Sequence, residues 1–403
     1  MKNQITIVGC DLHDRSMLLR FAAGMETPQQ RSFTNDSQGR REMVEALVEF
    51  ALREGSRRIV FVYEASGQGY GLHDLLTDQG IECYVLSPAH IAKSAKRKKN
   101  KTDAKDAQHL LELARAHVLA GNELPIVWTP PKALRNDREL VRARLETAEA
   151  GTALKLQILS LLKRQGREFP AWFLKGRNWS KKFAKWLLDE VGQLPRETAP
   201  VLTGLLARLE SIQQQVLLLD RALRDLAKLP RYQAGCDALR KLPGVGLLTA
   251  LVFLTEMGDL TRFPNRRTVG AYLGLTPAAA ESGETADRKG HITRQGPSRL
   301  RKVLCQATWT AIRVDVTVRA AWERIRGDRP QRGKKACVAI MRQLGIRLWH
   351  VALAAGVSPE LAARRVPPPC WLTAPQEPEK QIAEKQVRVL QKRVRVPQKC
   401  QAI

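Results

Sequence analysis

The amino-acid sequence predicts an N-terminal α/β domain followed by mostly helical regions, and three patterns support this prediction. Short apolar runs alternate with amphipathic helical segments over the first hundred residues. Leucines then recur at heptad spacing between residues 202 and 226, and helical periodicity continues to about residue 363. Strands that alternate with helices indicate a mixed sheet, whereas a long apolar seam at three- and four-residue spacing indicates paired helices.

The chain is expected to form three folded regions and a tail. The first domain spans residues 1–130 and ends where two consecutive prolines interrupt the helical pattern. The heptad-bearing region occupies residues 131–232, and a mostly helical C-terminal domain occupies residues 233–366. Residues 367–403 are rich in Pro, Gln, Lys, Arg and Val and have no core-forming period, which predicts a disordered basic tail.

Apolar spacing places the strands and helices of the first domain. The predicted strands are Ile5–Val8, Met17–Phe21, Ile59–Tyr63 and Cys83–Leu86. The predicted helices are a segment from Arg41 to Arg53, one that follows Gly69, and one from Asp103 to Ala116. This order of elements predicts a mixed α/β sheet.

The heptad region has the spacing of a coiled coil. Its apolar residues lie alternately three and four positions apart, with charged and amide residues between them: Leu202, Leu205, Leu209, Ile212, Val216, Leu219, Leu223 and Leu226. A seam of about three and a half heptads favours a coiled coil that joins subunits, as a dimer or tetramer. The alternative is an amphipathic helix packed within its own domain, because seams of this length also line helical bundles.

A segment between the two halves of this region mixes aromatic and basic side chains. The aromatic residues are Trp172, Phe173, Trp179, Phe183 and Trp186, and five Lys or Arg residues lie among them. Such a mixture is suited to stacking on single-stranded nucleic acid and neutralising it. It fits equally well a small helical core of aromatic residues surrounded by solvated lysines.

The charge balance points to a polyanionic partner. The 403 residues contain 67 Lys and Arg against 40 Asp and Glu, a formal net charge of +27, which makes nucleic acid the first candidate. The longest apolar stretch, Leu247–Leu254, is far shorter than the roughly 20 residues of a membrane span. The N-terminus reaches Asp11 before any signal-peptide core forms, so a cytoplasmic protein without a membrane partner is expected.

Cysteine and histidine spacing argues against a zinc site. The seven cysteines are scattered and form no Cys-x-x-Cys pair, which predicts reduced thiols. No histidine falls at metal-ligand spacing from a cysteine. Any bound metal is therefore expected to be held by carboxylates.

Four carboxylates follow strand ends or begin a helix. Asp11 ends the first strand and Glu64 ends the strand Ile59–Tyr63, while Asp103 and Asp106 open a helix and share one of its faces. Four converging carboxylates repel one another unless divalent cations lie between them, and such a group suits two-metal phosphodiester chemistry with Mg²⁺. Each acid taken alone is ordinary surface charge, and the last two alone could cap a helix.

A basic run precedes these last two acids and is a candidate phosphate contact. Its cations are Lys96, Arg97, Lys98, Lys99 and Lys101. They would draw a phosphate backbone toward the carboxylates. The alternative is a solvated loop, which the acids that follow make the weaker interpretation.

Two further motifs lie in the C-terminal domain. The sequence from Leu242 to Ala250, with Gly244 and Gly246, resembles a helix-hairpin-helix turn whose exposed amides bind phosphate without reading sequence. Further on, Ser282 precedes a glycine in a polar loop with cations nearby, a setting in which a serine can serve as a nucleophile. Serine beside glycine is also common loop chemistry.

Taken together, these motifs resemble the insertion-sequence 110 type transposases, a family of bridge-RNA-guided DNA recombinases. The resemblance extends to about Gly356. It rests on five strings of residues: Gly9-Cys10-Asp11, Tyr63-Glu64-Ala65-Ser66-Gly67, Asn100-Lys101-Thr102-Asp103-Ala104-Lys105-Asp106-Ala107, Leu242-Pro243-Gly244-Val245-Gly246, and Gly274-Leu275-Thr276-Pro277 leading to Glu281-Ser282-Gly283. Of these, the Lys-Thr-Asp-x-x-Asp-Ala string is the most specific.

The resemblance implies an N-terminal RuvC-like ribonuclease H fold, a coiled-coil insertion that mediates oligomerisation, and a C-terminal transposase domain. It implies that Asp11, Glu64, Asp103 and Asp106 bind Mg²⁺ and that Ser282 attacks a DNA phosphate, becoming covalently joined to DNA. It further implies a guide RNA that pairs with donor and target DNA, a logic known from other RNA-guided effectors. Such a protein would act on the bacterial nucleoid.

At residues 292–297 the chain departs from the family's usual Ile-Ser-Lys-x-Gly-Asn. Arg294 stands at the lysine position and is a candidate phosphate contact. Two other functions stay open at this point: a metal-dependent nuclease of the RuvC or ribonuclease H type in which Ser282 is structural, and a non-catalytic nucleic-acid-binding protein.

Overall fold

A computed structural model describes residues 5–91, 102–176, 178–279, 289–356 and 358–361 of the chain. The chain divides into two compact units. The described residues of the N-terminal unit lie within 5–129, and those of the helical unit lie within 130–361. The basic tail predicted for residues 367–403 lies outside the described residues.

The N-terminal unit contains a five-stranded mixed sheet. Its strands are β1 (Ile5–Leu12), β2 (Ser16–Ala23), β3 (Gln29–Thr34), β4 (Arg58–Glu64) and β5 (Glu82–Leu86). Their order across the sheet is β3-β2-β1-β4-β5. The first three strands form an antiparallel meander, and β4 and β5 extend it in parallel with β1. The predicted mixed sheet is therefore present, with one strand, β3, that the apolar spacing did not locate.

Three helices cover this sheet: α1 (Ser37–Arg53), α2 (Gly71–Asp78) and α3 (Asp103–Ala120). Side chains of a strand alternate between its two faces. On β4, Phe61 and Tyr63 join the core formed with α1 and α2, whereas Val60 and Val62 join the core formed with α3. The sheet thus has helices on both faces, and among the described residues α3 supplies the helical members of the second core cluster.

The described part of the helical unit is built mainly from ten helices and a two-stranded hairpin. The helices are α4 (Lys132–Arg164), α5 (Ala171–Gly176), α6 (Lys181–Val191), α7 (Ala199–Lys228), α8 (Pro230–Leu239), α9 (Leu247–Met257), α10 (Arg266–Tyr272), α11 (Ser298–Val314), α12 (Val316–Arg326) and α13 (Gly333–Ala354). The hairpin pairs β6 (Pro277–Ala279) with β7 (Lys289–Ile292) in antiparallel fashion. Short 3-10 turns lie at Leu260–Arg262, Pro330–Arg332 and Pro359–Leu361.

The predicted heptad seam lies on α7, and much of it packs within the chain. Leu209 is buried in one cluster with Leu154 and Ile158 of α4. Arg144 of α4 pairs with Asp220 of α7 at 2.7 Å. Because contacts move backward along α7 as they move forward along α4, the two helices are antiparallel. This pairing satisfies the apolar seam with a helix of the same chain, as the alternative of an intramolecular amphipathic helix predicts.

The aromatic and basic segment forms α5 and α6, and its rings pack mainly on one another. Phe173 and Phe183 are buried and stacked with ring centroids 3.7 Å apart. Trp186 stacks on Phe183 at 5.3 Å. Trp172 is the ring most open to solvent in this group, with the Lys182 ammonium 4.6 Å from its centroid. The helical-core interpretation therefore accounts for most of these residues.

Helix α13 is a core helix with an apolar composition. Among the described residues, Pro330–Ala354 is the one helical stretch long and apolar enough to span a bilayer, judged by length and composition alone. Its buried side chains, including Ile340, Leu348 and Trp349, belong to the packed interior of the helical unit. The sequence of α13 contains no long uninterrupted apolar run, because Arg342 and Arg347 divide it.

Candidate active site

Asp11 and Glu64 lie side by side at one edge of the sheet. In the parallel pair β1–β4, Cys10 is paired with Tyr63, so the next residues along the two strands, Asp11 and Glu64, are neighbours at the carboxyl ends of these strands. Alternation places Asp11 on the same face as Ile7, and Glu64 on the same face as Val60 and Val62. This is the face covered by α3.

Helix α3 brings the other two acids to the same face. Its buried residues Ala107, Leu110, Leu111 and Ala114 form the stripe that packs toward the sheet. Asp103 precedes Ala107 by one helical turn, and Asp106 precedes Leu110 by one turn, so both acids continue this stripe at the N-terminus of α3. The sequence-predicted convergence of strand-end and helix-start carboxylates is the arrangement that these elements produce.

Gly9 allows α3 to lie directly against β1. A Cβ atom at this position would be 2.3 Å from the backbone nitrogen of Leu111 and 2.4 Å from the carbonyl oxygen of Ala107. Both are backbone atoms, so no side-chain rotation can relieve the contact. The absence of a side chain at Gly9 therefore fixes how closely the acids of α3 approach Asp11.

His13 completes a compact group with two of the acids. Its Nε2 lies 3.1 Å from Oδ2 of Asp11 and 3.5 Å from Oδ1 of Asp103. Ligand atoms of these three side chains all lie within 4.8 Å of one another. The prediction of carboxylate ligands alone omits His13, because that prediction rests on the spacing of histidines from cysteines. The available signal was the two-residue spacing from Asp11 at a strand end.

The electrostatics of this group favour a cation. Burial raises the pKa of the Asp11 carboxyl, contact with His13 opposes the increase, and the charges of Asp103 and Asp106 add to it. An ionised Asp11 is thus disfavoured unless positive charge is nearby. Carboxylate oxygens and an imidazole nitrogen are all divalent-metal ligands, so these residues fit a divalent cation.

A chain of polar side chains joins the loops around the group. Asn35 donates to the His13 carbonyl oxygen at 2.7 Å and to Oε1 of Gln68 at 2.6 Å. Gln68 donates in turn to Asp14 at 3.0 Å, and Arg40 donates to Asn35 at 2.8 Å. These hydrogen bonds connect the turn after β1 to the loop after β4, the strand that ends at Glu64. None of these polar residues was singled out from the sequence.

Two sets of sequence-predicted residues lie outside the described residues. They are Ser282 and the basic run Lys96, Arg97, Lys98, Lys99 and Lys101. Ser282 falls in the segment 280–288 that separates β6 from β7 in the sequence.

The segment that follows β7 is held tightly and presents Arg294. A Cβ atom at Gly274 would lie 2.0 Å from the Gln295 carbonyl oxygen, and one at Gly296 would lie 1.9 Å from the Tyr272 carbonyl oxygen. The backbone after α10 and the backbone after β7 are therefore in close contact. Arg301 donates to three carbonyl oxygens here, including that of Gln295 at 3.0 Å. Arg294 is exposed and has a φ of 55°, the one non-glycine residue with positive φ in the described part of the chain.

The two glycines of the predicted hairpin turn between α8 and α9 have different surroundings. Gly244 has a φ of +79°, and a Cβ there would lie 2.3 Å from the Ala307 carbonyl oxygen of α11. Gly246 is the exposed N-cap of α9, and a Cβ there would meet nothing within 4 Å. The geometry thus gives Gly244 a packing role, whereas Gly246 begins α9 at the surface without a side-chain cap.

A cavity of about 460 Å³ adjoins this helix N-terminus. Its charged lining residues are Arg224, Lys228, Arg240 and Asp237. Leu247, the first residue of α9, also lines it. Three cations against one acid, next to a helix N-terminus, provide a positively charged surface in the helical unit.

Comparison with known proteins identifies the family. Residues 8–165 match the family model for the DEDD transposase domain of IS110-type elements, described as a transposase, and residues 236–323 match the model described as Transposase IS116/IS110/IS902 family. A putative transposase of Sinorhizobium fredii, y4qE, is 30% identical over 318 residues, which cover 73% of this chain and 75% of the relative.

More distant relatives agree. A second putative transposase of Sinorhizobium fredii, y4rJ, is 28% identical over 328 residues, covering 76% of this chain and 80% of the relative. The transposase for insertion sequence element IS1111A of Coxiella burnetii is 26% identical over 300 residues, which cover 72% of this chain and 76% of the relative. The chain belongs to the IS110 family of transposases.

Proposed function

We propose that this transposase cuts and rejoins DNA strands with a divalent-cation site made by Asp11, Glu64, Asp103 and Asp106 and with Ser282 as nucleophile. The observation that carries the proposal is the meeting of β1, β4 and the N-terminus of α3, which brings acids from three elements to one face of the sheet. The strand order, with a meander extended by two parallel strands, supports a RuvC-like ribonuclease H architecture.

The chemistry requires negative charge to be neutralised at a phosphodiester. Mg²⁺, when bound, would reduce the repulsion between the phosphate and the attacking oxygen. The acids would hold and orient that cation. Burial, with a further contribution from the charges of Asp103 and Asp106, raises the pKa of Asp11, so a nearby cation would stabilise its ionised form. Ser282 Oγ then forms a bond to phosphorus while the bond from phosphorus to a deoxyribose oxygen breaks. The serine proton passes to that leaving oxygen, and reverse attack rejoins the strand.

The nucleic-acid partners are donor and target DNA together with a guide RNA. The net charge of +27 supplies long-range attraction for such polyanions. The basic run ending at Lys101, the amides at Gly246 and the exposed Arg294 are proposed backbone contacts, which position a nucleic acid without reading its sequence. Sequencing of RNA that copurifies with the chain tests the guide: a single recurrent RNA is expected, and random cellular RNA would contradict it.

The proposal extends to the organisation of the chain. We assign residues 1–130 to the catalytic domain, 131–232 to a coiled-coil region that contributes to a dimer or tetramer, 233–366 to the transposase domain, and 367–403 to a basic tail. The long α4–α7 pair supports the second assignment, because Leu217 and Leu218 of α7 remain about 60% exposed after the seam has packed on α4. The site of action is the bacterial cytoplasm.

Two substitutions test the catalytic assignment. Asp106→Asn should abolish strand cleavage in Mg²⁺ while leaving DNA and RNA binding largely intact, because a lost ligand weakens metal binding far more than phosphate attraction elsewhere. The exposed Asp78→Asn is the matched control. Cleavage by Asp106→Asn at the wild-type rate would refute the metal assignment.

The wild type should give a covalent protein–DNA adduct that survives denaturation, and Ser282→Ala should give none. Ser298→Ala, an exposed serine at the start of α11, serves as its control. Cleavage without an adduct in Ser282→Ala and in the wild type alike would favour the metal-dependent nuclease. Binding without any cleavage in the wild type would favour a non-catalytic binding protein.

A further inference from the structure

His13 contacts two carboxylates of the candidate site at once. It follows Asp11 by two residues at the end of β1, and its side chain is 44% exposed. Its Nε2 nevertheless points between two carboxylates from different elements, 3.1 Å from Asp11 and 3.5 Å from Asp103. A single imidazole N–H can be directed to one of these oxygens but not fully to both.

The distances agree with a shared ligand sphere. Atoms bound to one metal ion at about 2.0–2.2 Å lie roughly 2.8–3.6 Å apart when they occupy neighbouring octahedral or tetrahedral positions. Both distances from Nε2 fall in this interval. The two carboxylate oxygens complete a set of three potential ligand atoms that all lie within 4.8 Å of one another.

The backbone of His13 is also held in place. Asn35 donates to its carbonyl oxygen at 2.7 Å, and His13 N–H donates to the Ser16 carbonyl oxygen at 2.9 Å, which closes the β1–β2 turn. Asn35 itself follows β3 directly, beside Asp36, whose side chain accepts from the Gly39 N–H and begins α1. The turn that carries the imidazole is therefore organised before any ion binds, which lowers the entropic cost of ligation.

We propose that His13 is a nitrogen ligand of the cation held by Asp11 and Asp103, and that it shifts the preference of this site from Mg²⁺ toward first-row transition ions such as Mn²⁺. The inference rests on the proposed function, which places a divalent cation among these acids. Mg²⁺ is bound in proteins mainly by oxygen atoms and water, whereas an imidazole ligand favours transition metals. His13 is thereby a specificity-determining residue for the metal.

The test measures metal binding without measuring DNA cleavage. Mn²⁺ and Mg²⁺ are titrated separately into the full chain by calorimetry, and Mn²⁺-loaded protein is studied by pulsed electron paramagnetic resonance for ¹⁴N coupled to the ion. His13→Ala should lower Mn²⁺ affinity at least about tenfold and remove the nitrogen signal. The same substitution should change Mg²⁺ affinity by less than about threefold.

His117→Ala is the matched control. His117 lies on the same helix as Asp103 but fourteen residues further along, about 20 Å away at the helical rise, and its Nδ1 contacts the Asn122 carbonyl oxygen. It should keep both the nitrogen signal and the Mn²⁺ affinity of the wild type. Wild-type protein labelled with ¹⁵N-histidine provides a test without a substitution, since the coupled nitrogen must then give the ¹⁵N frequency.

The outcomes separate this inference from the proposed function. If Asp11→Asn loses Mn²⁺ while His13→Ala binds it with wild-type affinity and an unchanged nitrogen signal, the inference about His13 fails and the carboxylate site stands. If Asp11→Asn and His13→Ala both retain wild-type Mn²⁺ binding, the metal site itself is refuted. Wild-type protein that binds Mn²⁺ without any histidine nitrogen coupling also overturns the inference.

Discussion

Gly9→Ala offers a direct test of how the fold sets the distance between the acids. The new methyl group would lie 2.3 Å from Leu111 nitrogen, 2.4 Å from the Ala107 carbonyl oxygen and 2.9 Å from the Leu110 carbonyl carbon. Ordinary contact begins near 3.4 Å. Because all three are backbone atoms, α3 as a whole must move away from β1 by about 1 Å, and close-packed interiors resist such shifts.

The effect of Gly9→Ala on the free energy of unfolding follows from two opposing contributions. Over-packing of a well-packed core typically costs about 1–3 kcal/mol, and replacing glycine by alanine recovers about 0.4–1 kcal/mol by restricting the unfolded chain. Gly9→Ala should therefore lower the free energy of unfolding by up to about 2.6 kcal/mol, measured as a lower urea midpoint with an unchanged slope. Since Asp103 and Asp106 move with α3, Mn²⁺ affinity measured by calorimetry should fall as well.

Gly67→Ala is the control for this experiment. It lies three residues after Glu64 and has an ordinary φ, and a Cβ there would meet nothing within 4 Å. It should raise the free energy of unfolding by about 0.4–1 kcal/mol, the gain expected from restricting the unfolded chain, and leave the Mn²⁺ affinity close to that of the wild type. If Gly9→Ala proves as stable as Gly67→Ala and binds Mn²⁺ equally well, the close approach of α3 does not determine the site.

Three further predictions concern stability. Leu209→Ala should cost about 2–3 kcal/mol in urea unfolding because Leu209 is buried between α4 and α7, whereas Leu218→Ala, 61% exposed on the same helix, should change stability by less than about 0.5 kcal/mol; equal effects would contradict the packing of the seam on α4. Arg142→Met should cost about 3 kcal/mol because it leaves Glu256, 4% exposed and bound to Arg142 at 2.9 Å, as an unpaired buried carboxylate. Adding Glu256→Leu should restore most of the lost thermal stability, and failure to do so would refute the cause given. The hydrogen bond from the Gly39 N–H holds the pKa of the Asp36 carboxyl below its usual range. The ionised carboxylate therefore stabilises the folded chain fully above the pKa that Asp36 has in the unfolded chain, and this contribution is lost as the pH falls through its pKa in the folded chain. Asp36→Ala should accordingly lower the urea midpoint more at neutral pH than in acid, and an equal effect at both would contradict this cause.

The sequence was informative where apolar spacing was strong. The runs at Ile5–Val8 and Ile59–Tyr63 lie within β1 and β4, and the helix predicted from Asp103 begins at that residue. Strand β3 was not located because its sequence, Gln-Gln-Arg-Ser-Phe-Thr, is mostly exposed at the sheet edge and has no alternating apolar pattern. An edge strand of this kind is specified by its partner β2 more than by its own residues.

Local sequence patterns were enough to identify the acids that end strands or begin a helix, because strand alternation and helix starts are local properties of the chain. The sequence also determined the family, through the strings that contain Asp11, Glu64, Asp103 and Asp106. Local patterns could not decide the partner of the α7 seam, since an apolar stripe is satisfied equally by α4 or by a second chain.

Three features depend on the folded chain: the seam packs on α4, His13 lies between Asp11 and Asp103, and Gly9 lets α3 approach β1. The contacts of the seam with α4, of His13 with Asp103 and of Gly9 with α3 each join residues far apart in the sequence. The last two depend on the register of β1 with β4 and on the packing of α3 across both strands, which no single segment of the chain encodes.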